Sequence, residues 1–145
     1  MADLEKNKAI GRRIPEEIFN KGNLGVADEI IAKEFVDHSA LPGAPAGIEG
    51  LKFEVNLLRS AFPDLRYTIE YEIAEGDKVA GRLRAAGTHK GEFFGVRPTG
   101  KKVTWTEMHT ICVENGKIVE HWGEVDMFGV MQQLGAVPEQ ARVQR

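Results

Sequence analysis

The sequence predicts an α+β fold in which helices come first and a curved antiparallel sheet wraps around them. Two observations carry this prediction. Apolar residues recur at helical spacing from Leu4 to Phe62, and after Pro63 the spacing changes to alternation with polar residues, which is the period of a half-buried strand. The later apolar runs are joined by short turn sequences, an order typical of a sheet built next to preceding helices.

Three helices are predicted before the first strand. The first spans Leu4–Phe19, and Pro15 must kink it or restart it because proline cannot donate a helical hydrogen bond. The second is predicted over Val26–Phe35. The third is Leu51–Phe62, whose apolar residues follow one another at steps of four, three and four before Pro63 ends it.

The second half of the chain predicts strands and a short final helix. Residues 65–73 alternate between apolar and polar, and the chain then turns back at residues 75–77. A glycine-rich connection follows, in which we expect His89 to be exposed. The last two strands are joined at Asn115–Gly116, and a helix over residues 126–135 closes the fold.

Size and charge exclude several classes of protein. A chain of 145 residues is long enough for one core and too short for two ordinary domains. We therefore assign residues 1–136 to a single domain and residues 137–145 to a polar tail. The 19 lysines and arginines against 22 aspartates and glutamates give a net charge of −3. No basic run is present, so we expect no nucleic-acid partner.

Membrane and metal sites are not expected either. No apolar stretch is long enough to span a bilayer, and the N-terminal residues are charged where a secretory signal is apolar. We therefore predict a cytoplasmic protein with no membrane association. The single cysteine, Cys112, cannot form an internal disulfide and has no neighbouring ligand at zinc spacing. A buried, inert thiol is expected, with no bound metal.

The strand from Val103 to Val113 carries two ionisable side chains on its apolar face. Glu107 and His109 interrupt a face that is otherwise formed by valine, tryptophan and isoleucine. Burying an ionisable group costs free energy unless it is paired. The pattern therefore indicates either a satisfied structural pair or a functional site, and the sequence leaves both open.

The turn between the last two strands decides which side chains face each other. A two-residue loop at Asn115–Gly116 pairs Glu114 with Lys117, whereas a three-residue loop with a glycine bulge pairs Val113 with Lys117. We favour the three-residue loop, because it keeps the valines of the last strand on the apolar face and sends its glutamates outward.

This register places His121 opposite His109 and Gly123 opposite Glu107. Three ionisable groups, Glu107, His109 and His121, would then share one face at distances that a small substrate or a water could bridge. Trp122 would point to the outer face of the sheet, where a partner subunit could cover it.

Five segments along the chain carry a resemblance to a known family. They are, in order, VDHSALPG, RSAFPD, AGTHKGEFFGVRPTGKKV, NGKIVEHW and DMFGVMQQLG. With these segments the chain resembles, up to Gly135, the SnoaL-like polyketide cyclase and ester cyclase family of the nuclear-transport-factor-two-like superfamily. The resemblance implies a cone-shaped α+β barrel, with N-terminal helices packed in a highly curved antiparallel or mixed sheet and a short C-terminal helix.

The resemblance also implies a function. It suggests a cofactor-independent enzyme that acts by general acid/base chemistry on a hydrophobic small molecule bearing a carbonyl or ester group, in a cone-shaped pocket. It suggests a homodimer as well. Relatives with this fold include epoxide hydrolases, ketosteroid isomerases and proteins without known chemistry, so a hydrolase, an isomerase or a non-catalytic ligand-binding dimer remain alternatives.

The family's site is incomplete in this chain. The acid/base carboxylate of the characterised cyclases stands two positions after the histidine that matches His121, and this chain has Gly123 there. We expect Glu107 to transfer protons instead, because the favoured register lets it reach over this glycine. His109 and His121 would orient it or bind a substrate carbonyl oxygen.

Four further residues are weaker candidates. Asp37 matches a polar pocket position of the cyclases and His38 follows it, although both are also typical of solvated turns. Trp105 is a candidate pocket wall. Asp126 is a candidate acid, but capping of the final helix explains it more simply.

Overall fold

The computed structural model describes residues 3–137, so the expected polar tail lies outside the described residues except for Val137. The helices are α1 (Leu4–Arg13), a π-helical segment (Ile14–Phe19), α2 (Gly25–Ile30), α3 (Ile48–Ala61) and α4 (Met127–Gln133). The strands are β1 (Ile31–Asp37), β2 (Arg66–Glu75), β3 (Lys78–Thr88), β4 (Lys102–Glu114) and β5 (Lys117–Val125).

The five strands form one mixed sheet in the order β1-β5-β4-β3-β2. Strand β1 runs parallel to β5, and the other neighbours are antiparallel. The predicted α+β class is confirmed. Buried apolar side chains from the helices and from one face of the sheet form a single core, whose best-buried members are Ile18, Val55, Phe62, Phe93, Val103, Ile118 and Val130.

The predicted interruption at Pro15 takes the form of a change in helix type. Helix α1 ends at Arg13, and the next turn is π-helical, with the Asn20 amide donating to the Pro15 carbonyl at 3.0 Å. Proline has no amide hydrogen and clashes with the preceding turn, and a wider turn accommodates it. This segment keeps its apolar side chains, including Ile18 and Phe19, in the core.

The predicted second helix is too long. Helix α2 ends at Ile30, and residues Ile31–Asp37 form β1 beside β5. Ile31 and Phe35 fit a helical stripe, but the unpaired edge of β5 offers backbone hydrogen bonds that a helix could not use. Tertiary pairing therefore overrides the local pattern. Its consequence for the site is that β1 delivers Asp37 to the side of His121, its cross-strand partner.

The predicted loop between β4 and β5 is wrong. Asn115 and Gly116 both have positive φ, 49° and 74°, and form a two-residue turn that pairs Glu114 with Lys117. A bulge then shifts the register by one residue. The turn and the bulge together point the side chains to the same faces as a three-residue loop does. The neighbours differ: His121 lies opposite Ile111, and Gly123 lies opposite His109.

The expectation for His89 is also wrong, since its side chain is fully buried. Its Nδ1 accepts a hydrogen bond from the Thr99 amide at 3.1 Å, and its ring lies against Phe62. The glycine-rich connection folds back on itself, because the His89 amide donates to the Lys101 carbonyl at 2.9 Å and the Gly100 amide donates to the His89 carbonyl at 2.8 Å.

Among residues 3–137, no helix is long and hydrophobic enough to cross a membrane.

Candidate active site

A cavity lies between the helices and the sheet. It is partly open to solvent, and its volume is about 100 Å³. Its wall is largely apolar, but six carboxyl or imidazole side chains enter it from four strands and one helix. They are Asp37, Glu54, Glu72, Glu107, His109 and His121.

Four of these side chains form a continuous hydrogen-bonded chain. Glu107 Oε1 is 2.7 Å from His109 Nε2, and His109 Nδ1 is 2.8 Å from His121 Nε2. His121 Nδ1 is in turn 2.8 Å from Asp37 Oδ1. Strands β4, β5 and β1 therefore contribute to one array, which has a carboxylate at each end and two imidazoles between them.

The array holds a defined number of protons. Each of its three hydrogen bonds needs one proton, and carboxylates supply none when ionised. Three protons on two carboxylates and two imidazoles give the array a net charge of −1. Glu107 Oε2 accepts two further hydrogen bonds, from Tyr67 and Trp105. This oxygen is therefore saturated by donors from outside the array, and only Glu107 Oε1 takes part in the array itself.

Tyr67 and Trp105 hold Glu107 in place. The Tyr67 hydroxyl donates to Glu107 Oε2 at 2.8 Å, and Trp105 Nε1 donates to the same oxygen at 2.6 Å. Burial and the negative charge of Glu107 raise the pKa of Tyr67 well above its usual value, so the phenol remains a donor. Glu107 itself is only 6% exposed. Three donors occupy three of its roughly four lone-pair positions, which leaves one for a ligand.

Asp37 is ionised at the other end of the array. Burial on its own would raise its pKa, but the hydrogen bond to His121 and the amide of Ser39 together lower it. The Ser39 hydroxyl accepts a hydrogen bond from the Gly123 amide at 2.8 Å. The turn after β1 is thus fastened to β5, and this fixes the carboxylate beside His121.

Gly123 makes the contact between the two histidines possible. A Cβ atom at this position would lie 2.5 Å from His109 Nδ1 and 3.0 Å from His121 Nε2. Side chains are essentially never found that close, so any other residue would displace one imidazole. The hydrogen bond between the two histidines therefore requires glycine at position 123.

The fold agrees with the comparisons with known proteins. Residues 10–134 match the family described as SnoaL-like polyketide cyclase. The chain belongs to the SnoaL-like polyketide cyclase family. It is 31% identical over 122 residues to the aklanonic acid methyl ester cyclase DnrD of Streptomyces peucetius, which covers 82% of this chain and 84% of DnrD.

Two further similarities extend over most of this SnoaL-like chain. It is 29% identical over 119 residues to the nogalonic acid methyl ester cyclase of Streptomyces nogalater, covering 81% of this chain and 89% of that enzyme. The structure of TsrD from Streptomyces laurentii superimposes with a TM-score of 0.86 at 25% identity, covering 94% of this chain and 100% of TsrD.

Sequence reasoning missed Glu54. This SnoaL-like protein directs its side chain into the cavity from α3, on the same helix face as Leu51, Val55 and Leu58. Burial, followed by the negative charges of Glu107 and Asp37, raises its pKa to about 7. The signal was present in the sequence, because a glutamate three residues after Leu51 and four before Leu58 falls within the apolar stripe.

The other predicted site residues, His38, Trp105 and Asp126, do not line the cavity. His38 lies outside the cavity, where it pairs with Glu120 at 2.8 Å and stacks on Trp122. Trp105 lies behind Glu107 rather than on the cavity wall. Asp126 caps α4, because its Oδ1 accepts a hydrogen bond from the Gly129 amide at 3.0 Å.

One cluster in residues 3–137 has the spacing of a metal site, and it lies outside the cavity. It consists of Asp77, Cys112 and Glu114. Lys78 pairs with Asp77 at 3.0 Å, and burial together with Asp77 raises the pKa of the Cys112 thiol to about 11. A protonated thiol and a carboxylate already paired with lysine are poor ligands for a cation.

Proposed function

We propose that this protein is a cofactor-independent cyclase that closes a ring in a hydrophobic small molecule bearing a carbonyl or ester group. The observation that carries the proposal is the array of Glu107, His109, His121 and Asp37 on the wall of an apolar cavity. The names of its relatives, which are cyclases of methyl esters, support the same class of substrate.

The proposed reaction is an aldol closure in which Glu107 acts as the base. Its remaining lone pair takes a proton from the carbon next to a carbonyl or ester group, and the C–H electrons become those of an enolate. The enolate carbon then bonds to the carbon of a second carbonyl group. The oxygen of that group receives a proton, so that the product is an isomer of the substrate.

The rest of the array supports this base. When Glu107 takes a proton, the net charge of the array changes from −1 to zero, and this charge is distributed over four hydrogen-bonded groups. Asp37 holds His121 with its Nδ1 hydrogen directed at the carboxylate, and His121 in turn fixes the orientation of His109. These three residues are positioning residues for Glu107.

The size of the cavity limits what enters it. An apolar cavity of about 150 Å³ holds a benzene molecule, so a space of about 100 Å³ encloses less than one full ring. We infer that the reacting end of the substrate lies beside Glu107, and that the remainder of a larger molecule lies at the open side of the cavity.

The test uses the purified protein with aklanonic acid methyl ester and nogalonic acid methyl ester, each in the presence of a metal chelator. The expected result is conversion of at least one ester to a product of unchanged mass and different chromatographic mobility. Hydrolysis products, or conversion that depends on an added metal or cofactor, would contradict the proposal.

One observation favours ligand binding without turnover as a second candidate. Glu107 is already bonded to His109, Tyr67 and Trp105, as in a satisfied structural pair. Saturable binding of both esters without any product would support this reading. A hydrolase of the epoxide type is less well supported, because no asparagine or arginine is among the described residues that line the cavity. An isomerase would use the same base and differ in its product.

We also propose that the protein forms a homodimer through the outer face of the sheet. Met108, Tyr71 and Trp122 lie on this face and are 39%, 45% and 36% exposed. The Tyr71 hydroxyl and the Met108 sulfur are 3.9 Å apart, so these side chains form part of one apolar patch. A second copy of the chain would bury it.

A further inference from the structure

Glu54 is the one ionisable side chain that α3 contributes to the cavity wall among the described residues. It enters from the helical side, while Glu107, His109 and His121 enter from the sheet. In residues 3–137 its carboxyl group has no hydrogen-bond or salt-bridge partner. A ligand in the cavity would therefore have the array on one side and an uncommitted carboxyl group on the other.

The groups around Glu54 favour its neutral form. Asp37 and Glu107 are negatively charged neighbours, and His109 opposes them only in part. The other groups on the cavity wall are neutral or already paired: Tyr67 donates to Glu107, and His121 is bonded to Asp37. An unpaired carboxyl group beside negative charge in an apolar cavity is protonated more readily than one in water.

Glu72 differs from Glu54 in having a cationic partner. It lines the same cavity, but Arg12 neutralises it at a distance of 2.8 Å. Within the described residues, Glu54 has no such cation. Burial and like charge therefore act on Glu54 with only partial compensation from His109, and they leave it with a proton to give near neutral pH.

We propose that Glu54 is the general acid of this site, whose protonated carboxyl group donates a hydrogen bond to a carbonyl oxygen of the bound substrate and transfers the proton as that oxygen becomes negative. This role rests on the proposed function, because it names the group that completes the reaction begun by Glu107. A protonated carboxyl group at this position also favours neutral ligands that bear a carbonyl group over ligands that bear a carboxylate.

The proton balance closes over one turnover. The C–H bond breaks and its proton goes to Glu107, the new C–C bond forms, and the second carbonyl oxygen becomes an alkoxide. That oxygen takes the proton of Glu54. Glu107 then holds one extra proton and Glu54 lacks one, and exchange with solvent at the open side of the cavity restores both.

The test uses methyl 2-acetylbenzoate, a single ring that carries a ketone and a methyl ester. Its binding is titrated by tryptophan fluorescence at pH 6 and pH 8 with the wild type, Glu54→Gln and Glu49→Gln. The glutamine amide still donates a hydrogen bond but cannot ionise. Glu49 lies on the same helix with its side chain 70% exposed, so it is a matched control.

The wild type and Glu49→Gln are expected to bind the ester about tenfold more weakly at pH 8 than at pH 6, because only protonated Glu54 donates. Glu54→Gln is expected to bind equally at both pH values. Equal binding by the wild type at both pH values, the same pH dependence in Glu54→Gln, or no saturable binding at any pH would overturn the proposal.

Exchange of the acetyl hydrogens of the same ester in deuterium oxide, followed by NMR, separates this proposal from the proposed function. Exchange that requires Glu107, together with pH-independent binding, would overturn the role of Glu54 and leave the proposed function standing. Binding with the expected pH dependence, but without exchange, would support Glu54 as a carbonyl-binding donor and contradict the proposed base.

Discussion

His109 Nδ1 and His121 Nε2 lie 2.8 Å apart on adjacent strands, above the backbone of Gly123. The histidine pair links two carboxylates that come from distant parts of the chain, Glu107 on β4 and Asp37 on β1. The lack of a side chain at Gly123 is what allows this array of carboxylates and imidazoles to form.

Replacing this glycine tests the dependence of the histidine pair on it. Gly123→Ala places a Cβ within 2.5 Å of His109 Nδ1, so we expect the pair to separate, with a loss of stability of about 1–3 kcal/mol. Nitrogen-15 spectra of the imidazoles report the hydrogen bond, and thermal unfolding reports the stability. Gly25→Ala is the control, because a Cβ there meets nothing closer than 3.5 Å. Unchanged imidazole spectra in Gly123→Ala would contradict this account.

Glu54 gives the stability of the protein a pH dependence on the alkaline side. Its pKa is raised from an ordinary 4.5 to about 7, so the folded state holds this proton more tightly than the unfolded state. Stability is therefore highest below pH 4.5 for this group and falls as the pH rises toward 7. Glu54→Gln should be more stable than the wild type at pH 8, by on the order of 3 kcal/mol, and within about 1 kcal/mol of it at pH 5.

Urea unfolding at the two pH values measures this difference. The control Glu49→Gln removes an exposed charge from the same helix and should follow the wild type at both. A Glu54→Gln variant that is less stable than the wild type at pH 8 would show that the carboxylate is paired and stabilising. A gain in stability together with lost activity is the usual sign of a residue kept for function.

Asp37 gives the stability of the protein a pH dependence on the acid side. Its pKa lies below the ordinary 3.8, so the stability it contributes is present above pH 3.8 and is lost as the pH falls through the lower value of the folded state. Asp37→Asn should flatten this acid limb of the stability curve. It should also lower the rate of ring closure by about 10- to 100-fold, because the asparagine oxygen still accepts from His121 but no longer carries the negative charge at this end of the array.

Unfolding curves and rates measured with Asp37→Asn test both effects, and Asp28→Asn is the control. Asp28 pairs with Lys52 on an exposed surface, away from the cavity. Wild-type rates in Asp37→Asn would mean that the array ends at His121 and that Asp37 does not position it.

The outer face of the sheet predicts the oligomeric state. Trp122→Glu places a charge in the exposed apolar patch, and we expect it to shift a dimer to a monomer in sedimentation velocity. Phe53→Glu is the matched control, since Phe53 is 40% exposed but lies on α3. A wild type that sediments as a monomer, or a dimer that survives Trp122→Glu, would contradict the proposed interface.

Much of the site could be predicted from local pattern. Alternation along β4 placed Glu107 and His109 on the buried face, and strand parity placed His121 beside them, although the loop length was wrong. That error had no effect on the faces because the bulge in β5 offset the shorter turn. The face on which a side chain lies repeats every two residues, so it is unchanged when a bulge offsets a shorter turn. The cross-strand partner of each residue does change.

The remaining site residues depended on tertiary structure. Asp37 reaches the array only because β1 pairs with β5. The apolar residues of β1 up to Phe35 fit a helical pattern as well, so the sequence alone does not reveal this pairing. His89 is buried because its ring packs against Phe62 and its side chain bonds to Thr99 within the same connection. Glu54 was different, since a glutamate inside an apolar helical stripe is visible in the sequence and was passed over.

The measurement that tests the central claim most directly is the rate of ring closure by Glu107→Gln. Glutamine keeps the shape of the side chain and an oxygen that accepts from Tyr67 and Trp105, but it cannot take a proton. We expect kcat with aklanonic acid methyl ester to fall by about 10²- to 10⁴-fold, while Glu124→Gln, on the exposed face of β5, retains wild-type activity. Wild-type turnover by a folded Glu107→Gln variant would contradict the account.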